Sequence, residues 1–233
     1  MLRADRSRPF LLSPLLAMSL LPAVAWAGSW PDLPLPSGTD TTEVARRIVF
    51  NGLDMRAETF GSRQSAAEVV AFYRAAWGDR AVVNKLGSSQ VIGYREGDYF
   101  ITVQVSGFGN GSKGRIGMID VAGAPRGFVA GKGVPRPMGA EVFNDIAYPD
   151  DPVPARTVAM RDALSPRQNA AFFRERLAGD GWKPEGDGRC ADDDTCLLSF
   201  ARGDSKLALV AVRRGSGQSQ VVVNIQNPQE ASP

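Results

Sequence analysis

The two cysteines of this chain lie close together, in the segment Cys190-Ala-Asp-Asp-Asp-Thr-Cys196. In an oxidising compartment, a pair separated by so few residues most simply forms a disulfide that closes a small loop. A metal or redox site is the alternative, but the spacing is not C-x-x-C and the chain contains no histidine. The sequence therefore predicts a structural disulfide between Cys190 and Cys196.

Four aspartates surround these cysteines: Asp187, Asp192, Asp193 and Asp194. Carboxylate oxygens are the ligands that calcium prefers, and exported proteins meet calcium at useful concentrations. The order of the residues does not match an EF-hand loop, and short acidic loops are usually only solvated. We therefore expect no metal and no other cofactor, with calcium at this loop as the alternative.

The absence of histidine restricts catalysis, because Ser-His-Asp and Cys-His arrangements and His-containing zinc sites all need it. The glycine-rich run Ser106–Gly114 lacks the order of a phosphate loop and lies between two predicted strands, which indicates a hairpin tip. Glycoside hydrolysis would need two carboxylates across a cleft, and nothing in the sequence brings two together. The sequence predicts that the protein is not an enzyme. The carboxylates considered for such a pair are Glu58, Glu141, Asp145, Asp150 and Asp151.

The first 27 residues have the pattern of a signal peptide. A basic start leads into an apolar run over Phe10–Val24 and then into the small-residue motif Ala25-Trp26-Ala27. An uncleaved membrane anchor is the alternative, but the run is shorter than the ~20 residues that a spanning helix needs, and two prolines interrupt it. We predict cleavage after Ala27, a periplasmic or secreted location, and no transmembrane segment in the mature chain.

Removal of this segment takes three arginines and one aspartate from 27 basic and 25 acidic residues, which leaves 24 of each. A chain without net charge and without a basic stripe is a poor candidate for nucleic-acid binding. We therefore expect no nucleic-acid partner.

Two helices are predicted one hundred residues apart, and each begins with a capping box. Ser65 is followed by Glu68, and Ser165 is followed by Pro166 and Gln168. The aromatic and aliphatic residues of both helices recur at helical spacing. Such a stripe above a sheet is typical of a core rather than of a ligand site.

Candidate strands surround each helix, and segment 43–50 can be read either as a short helix or as a strand. The predicted fold class is α+β: a tandem repeat of two β-α-β-β-β modules, each an antiparallel sheet with one helix packed on one face. The predicted strands are Leu53–Thr59, Gln90–Tyr94, Tyr99–Val105 and Ile116–Val121, then Glu141–Tyr148, Arg156–Arg161, Leu197–Phe200, Ser205–Ala211 and Val221–Ile225. The predicted divisions are a signal peptide (1–27), a first module with a proline-rich lead-in (28–122), a Gly/Pro linker (123–136), a second module (137–227) and a tail (228–233).

The two modules differ on the sheet face that points away from the helix. In the first module the middle strand presents Thr102, Gln104 and Ser106 there, whereas the second module presents an apolar set. One helix can cover only one face, so the first module, the segments before the helices or a partner protein must cover the apolar set. The candidate interface residues are Ala208, Val210, Val212 and Val222.

These patterns favour an exported, non-catalytic binding or assembly accessory protein of the cell envelope, with a protein partner. A carrier of a small or lipidic ligand between helix and sheet is the alternative, and it requires a cavity. A hydrolase that works without histidine is a third hypothesis.

Overall fold

The computed structural model describes residues 30–45, 47–190, 193–215 and 217–227. The predicted signal peptide and the tail 228–233 lie outside the described residues. The fold given below belongs to the unit that begins at Leu33.

Fourteen strands in the described residues belong to one antiparallel sheet, and two α-helices pack on it. A short 3-10 turn, Gly78–Arg80, follows the first helix. The helices are α1 (Ala66–Trp77) and α2 (Pro166–Gly179), and the strands are β1 (Thr39–Glu43), β2 (Ile48–Phe50), β3 (Leu53–Ser62), β4 (Val82–Leu86), β5 (Ser89–Glu96), β6 (Tyr99–Phe108), β7 (Gly111–Asp120), β8 (Glu141–Tyr148), β9 (Ala155–Asp162), β10 (Lys183–Pro184), β11 (Arg189–Cys190), β12 (Thr195–Arg202), β13 (Ser205–Arg213) and β14 (Ser219–Gln226).

The strands follow one another across the sheet in the order β10-β12-β13-β14-β9-β8-β2-β3-β7-β6-β5-β4, while β1 also pairs with β3 and β11 with β12. The predicted α+β class is thereby confirmed. Instead of two separate sheets, however, the chain forms a single one. The two halves meet where β2 pairs with β8, at Val49 opposite Ala147 and Phe50 opposite Ile146. No periodic pattern marks this junction in the sequence, because β2 is only three residues long.

Both helices begin at the predicted serines. The Ser65 hydroxyl accepts a hydrogen bond from the Glu68 amide, and the Glu68 carboxylate accepts one from the Ser65 amide. Ser165 and Gln168 form the same reciprocal pair at the start of α2. Each box satisfies amides that a helix otherwise leaves without partners at its first turn.

The residues that face α1 and α2 lie on the same face of the sheet, because directly opposed residues of antiparallel strands point to the same side. Val49 is opposite Ala147, and Asp145, two residues before it, is opposite Val158 in the core under α2. The opposite face is called the outer face below.

The predicted aromatic stripes form the core. In the first half, Tyr73 and Trp77 are buried, and the indole of Trp77 stacks on the ring of Tyr94 at 4.6 Å. Burial raises the pKa of the Tyr73 hydroxyl well above its ordinary value, and the nearby Glu58 carboxylate acts in the same direction. In the second half, Phe173 and Leu177 pack against the sheet, and burial of such side chains stabilises the fold by about 1.5–3 kcal/mol each.

Segment 123–136 is partly packed rather than only a linker. Val134 belongs to the core under α2 and is 7% exposed. The ring of Phe128 lies against Gly52, whose φ is +81°, and a Cβ added there would come within 2.6 Å of that ring. Only glycine fits this turn between β2 and β3. Val129, the next residue along the chain, is exposed.

Candidate ligand-binding cleft

A cleft of about 320 Å³ opens between the C-terminal half of α2, the sheet and the chain segment just before β8. Several of its lining residues are almost completely buried, so the cleft borders the core between the helix and the sheet. Its apolar lining comes from α2 (Phe173, Leu177), the sheet (Leu207, Val223, Ile225) and the segment before β8 (Val134, Pro135).

Charged residues also line this cleft. Three of them are cations, Lys132, Arg156 and Arg202, and Asp180 at the end of α2 is the one acid among the described lining residues. The lining therefore carries an excess of positive charge beside an apolar floor. This combination favours an anionic ligand with an apolar part.

Arg202 is held in place by stacking. Its guanidinium carbon lies 4.8 Å from the ring centroid of Trp182, and its Nη1 donates to the carbonyl of Asp180 at 3.2 Å. A guanidinium over an indole is stabilised by the ring quadrupole and keeps its edge available for other acceptors. Arg202 makes no ion pair with any described residue.

Arg156 is already paired. Its Nε and Nη2 donate to the two carboxylate oxygens of Asp145, at 2.9 and 2.7 Å, and its Nη1 donates to the carbonyl of Lys132 at 3.0 Å. The amide of Gly131 also donates to Asp145, at 2.7 Å. These hydrogen bonds hold in place the segment before β8, which forms one wall of the cleft.

Two lining residues of the cleft are smaller than the residues at comparable sequence positions in the first half. Trp77 and Leu177 each lie twelve residues after the serine that caps their helix, and Tyr99 and Ser205 each begin the strand after a Gly-Asp turn. Two large aromatic residues in the first half thus correspond to a leucine and a serine in the second.

The sequence did not single out the cleft residues. Lys132, Arg156, Trp182 and Arg202 are scattered over seventy positions and match no motif. The side chains that line the cleft otherwise resemble an ordinary core with charged residues at its edge.

The carboxylates considered for hydrolysis have other contacts. Asp145 is paired with Arg156, and Glu141 forms an exposed ion pair with Arg161. Glu58 lies on β3 near Tyr73, and Asp150 and Asp151 are in the turn between β8 and β9. Nothing in the described chain brings any two of them together at the cleft.

The predicted disulfide is present. Cys190 and Cys196 are bonded and lie directly opposite each other on β11 and β12, with their Cα atoms 3.9 Å apart. In the adjoining acidic loop, Asp193 pairs with Arg167 and Asp194 with Arg213, each at 2.6 Å. Asp192 lies outside the described residues. Among the residues that are described, no group of three or more metal-ligating side chains is found.

The predicted interface residues lie on the outer face. Val210 and Val222 are opposite each other and half-buried, Val212 is half-buried, and Ala208 is exposed. Leu197, opposite Val210, is 49% exposed and extends the row. The matching row of the first half consists of Val91, Gln104, Arg115 and Thr59. The outer face therefore differs in polarity along a continuous row of directly opposed residues, which is apolar in the second half and mostly polar in the first.

No protein-family model, curated protein or solved structure matches this chain. Over the described residues, neither helix has the length and apolar character needed to cross a membrane.

Proposed function

We propose that the protein is an exported binding protein that holds a small or lipidic ligand in the cleft between α2 and the sheet. The observation that carries this proposal is the position of the cleft, which borders the core between α2 and the sheet and is lined by both apolar and charged side chains. Its volume of about 320 Å³ falls within the range of ~300–1,000 Å³ typical of small-molecule sites.

The proposed action is binding without catalysis. The chain has no histidine, and the one carboxylate among the described lining residues, Asp180, has no second acid beside it in the lining. General acid–base chemistry usually needs two such groups in reach of one substrate. A hydrolase is therefore the least supported of the three hypotheses.

Export to the periplasm or beyond is supported by two features. The first 27 residues have the order of a cleavable signal peptide, and a disulfide is the form that cysteines take in oxidising compartments. Analysis of the N-terminus of the protein taken from the envelope tests this part, and a retained residue 1–27 segment would contradict it.

We also propose that the chain arose from two copies of one α+β module. The strand order β2-β3-β7-β6-β5-β4 in one half and β8-β9-β14-β13-β12-β10 in the other supports this, as do the two capping boxes. In this view the first copy kept a filled core, and the second acquired the cleft.

A variant that fills the cleft tests the binding proposal. Leu177→Trp combined with Ser205→Tyr places the aromatic residues of the first half into the second. We expect the purified protein to bind the neutral apolar dye N-phenylnaphthylamine with an increase in dye fluorescence, and the filled variant to bind it at least tenfold more weakly.

Val210→Asp is the control for this experiment, because it changes the outer face and should leave dye binding unaltered. Equal dye binding by the wild-type protein and the filled variant would contradict the proposal. So would loss of binding in Val210→Asp alone, because it would place the dye on the outer face.

A protein partner in the envelope is the second candidate, favoured by the apolar row on the outer face. Val210→Asp should abolish capture of that partner from an envelope extract, whereas Gln104→Asp on the matching strand should not. Since both positions are half-exposed, the melting temperatures should change little and by similar amounts. Equal capture by both variants would remove this candidate.

A further inference from the structure

We infer that the cleft under α2 binds a monoanionic amphiphile, namely a fatty carboxylate whose head group meets Arg202 and Lys132 and whose chain lies on the apolar floor. This inference rests on the proposed function, because it names the class of ligand for the same cleft.

The sign of the ligand charge follows from the lining. Arg156 is neutralised by Asp145, since both carboxylate oxygens of Asp145 accept from its guanidinium. Of the remaining charged residues in the lining, Lys132 and Arg202 are positive and Asp180 is negative. One positive charge is left over, and a ligand with a single negative charge balances it.

The carboxylate is favoured by the geometry of Arg202. One of its five N–H groups is used on the Asp180 carbonyl, and stacking on Trp182 restricts the plane of the guanidinium. An arginine held in this way can donate two parallel hydrogen bonds to a carboxylate, and such pairs are among the strongest hydrogen bonds in proteins. Lys132 is exposed and makes no ion pair with a described residue, so its ammonium group can add a second contact.

The negative end of the α2 dipole lies beside the cleft, but the backbone carbonyls there already have hydrogen-bond partners. The carbonyls of the last turn of α2 accept hydrogen bonds from the amides of Asp180, Gly181 and Trp182, and Arg202 caps the carbonyl of Asp180. Because these acceptors are already satisfied, the negative end of the helix dipole is largely compensated at the cleft.

The apolar side chains that line the cleft indicate that the ligand carries a hydrocarbon chain. Leu207 and Ile225, which lie directly opposite each other on β13 and β14, line the cleft with side chains that consist only of carbon atoms. At the packing density of protein interiors, about three quarters, a cleft of this size holds a chain of roughly ten carbons. A lipid with two acyl chains is too large for this volume.

Calorimetric titration of the purified protein with decanoate, decanol and decylammonium tests the inference. These probes share one chain length and differ in head-group charge. We expect decanoate to bind at a ratio of one to one and at least tenfold more tightly than decanol, and decylammonium to bind most weakly because Lys132 and Arg202 repel it.

Variants of the two cations separate the head group from the chain. Arg202→Gln should weaken decanoate at least tenfold and decanol less than twofold, Arg202→Lys should recover part of the loss, and Lys132→Gln should weaken decanoate about threefold without affecting folding. Arg80→Gln is the matched control in the first half, where Arg80 lies 4.9 Å from the ring centroid of Tyr94. It should leave both affinities unchanged.

The outcomes distinguish this inference from the proposed function. If decanol binds as tightly as decanoate and the filled variant Leu177→Trp/Ser205→Tyr loses both, the cleft is a binding site but the anionic class is wrong. If neither probe binds, or if the filled variant binds both as well as the wild-type protein, the inference and the cleft proposal both fail.

Discussion

Asp145 and Arg156 form a two-point ion pair between β8 and β9, with 4% and 12% of their side chains exposed. The backbone of Asp145 also reaches across the junction of the two halves. Its amide donates to the side chain of Asn51, and its carbonyl accepts from the amide of Asn51. Gly131 adds a third contact to the carboxylate. Asp145 thus connects the β2–β3 turn, the segment before β8 and the wall of the cleft.

Loss of the charge on Asp145 should destabilise the protein strongly. Asp145→Asn leaves the buried Arg156 guanidinium without its counter-charge, and removal of one partner of a buried ion pair typically costs about 3–5 kcal/mol. Urea denaturation followed by circular dichroism measures the loss.

The exposed pair Arg161–Glu141 on the same two strands is the matched control. Because a solvent-exposed pair contributes about 0–1 kcal/mol, Glu141→Gln should change the free energy of unfolding by less than 1 kcal/mol. Similar losses in the two variants would show that burial of Asp145 is not what makes its ion pair important.

Much of the fold could be predicted from local patterns. The capping boxes at Ser65 and Ser165 located both helices, and alternation of apolar and polar residues located most strands. What the sequence could not show was the junction between the halves. β2 contributes three residues, which is too short for a periodic pattern. β1 is polar, and the apolar residues of β4 do not alternate with polar ones; both strands pair on one side only and are largely exposed.

The cleft was harder to predict than the fold. Its charged residues come from four distant parts of the chain: the segment before β8, β9, the end of α2 and the end of β12. A sequence pattern predicts that Leu177 and Ser205 lie in or beside the core. It does not predict how completely the side chains fill that core.

The two capping boxes should respond differently to acid. Hydrogen bonds from the Ser65 side chain and backbone hold the pKa of Glu68 below its ordinary value of 4.5, whereas Gln168 does not titrate. A carboxyl whose pKa is lowered by folding contributes stability above its unfolded pKa, and this stability is lost as the pH falls through the lower, folded value. Ser65→Ala should therefore destabilise the protein at pH 7 and progressively less below about pH 4.5.

Ser165→Ala serves as the comparison. It should cost about 1 kcal/mol, the usual value for loss of a helix cap, at every pH from 7 to 3. Thermal unfolding of both variants and the wild-type protein over this range measures the effect. A loss in Ser65→Ala that stays constant over the range would show that Glu68 is not the titrating partner.

The disulfide should stabilise the loop region without being required for the fold. It closes a short loop, for which chain entropy accounts for about 2 kcal/mol, and Cys196 is fully buried in the core under α2. Replacement of both cysteines by alanine should lower the free energy of unfolding by about 2–4 kcal/mol and preserve the circular dichroism spectrum. Alkylation of either cysteine in the non-reduced protein would contradict the bond itself.

A buried polar pair distinguishes the start of α2 from the start of α1. Asn169 is fully buried and donates to Oδ1 of Asp162 at 2.9 Å, and the Leu164 amide donates to the same oxygen. Oδ2 of Asp162 and Oδ1 of Asn169 are buried acceptors with no hydrogen-bond partner in the described structure. At the matching positions, α1 and β3 carry Val69 and Ser62, both buried.

Substitution of this pair should show strong coupling. Asn169→Val alone leaves the Asp162 carboxylate buried with one donor fewer, and loss of a hydrogen bond to a buried charged group costs about 1.5–3 kcal/mol. The double variant Asp162→Ser/Asn169→Val reproduces the pair of the first half. Because it removes the buried charge together with its partner, we expect its stability to equal or exceed that of the wild-type protein.

A double-mutant cycle with Asp162→Ser as the second single variant, measured by urea denaturation, gives the coupling energy. We expect about 1–3 kcal/mol, since the two side chains are in direct contact. Additive losses would mean that Asp162 and Asn169 stabilise the start of α2 independently. The feature would then be two separate polar residues rather than a pair that replaces the Ser62 and Val69 arrangement.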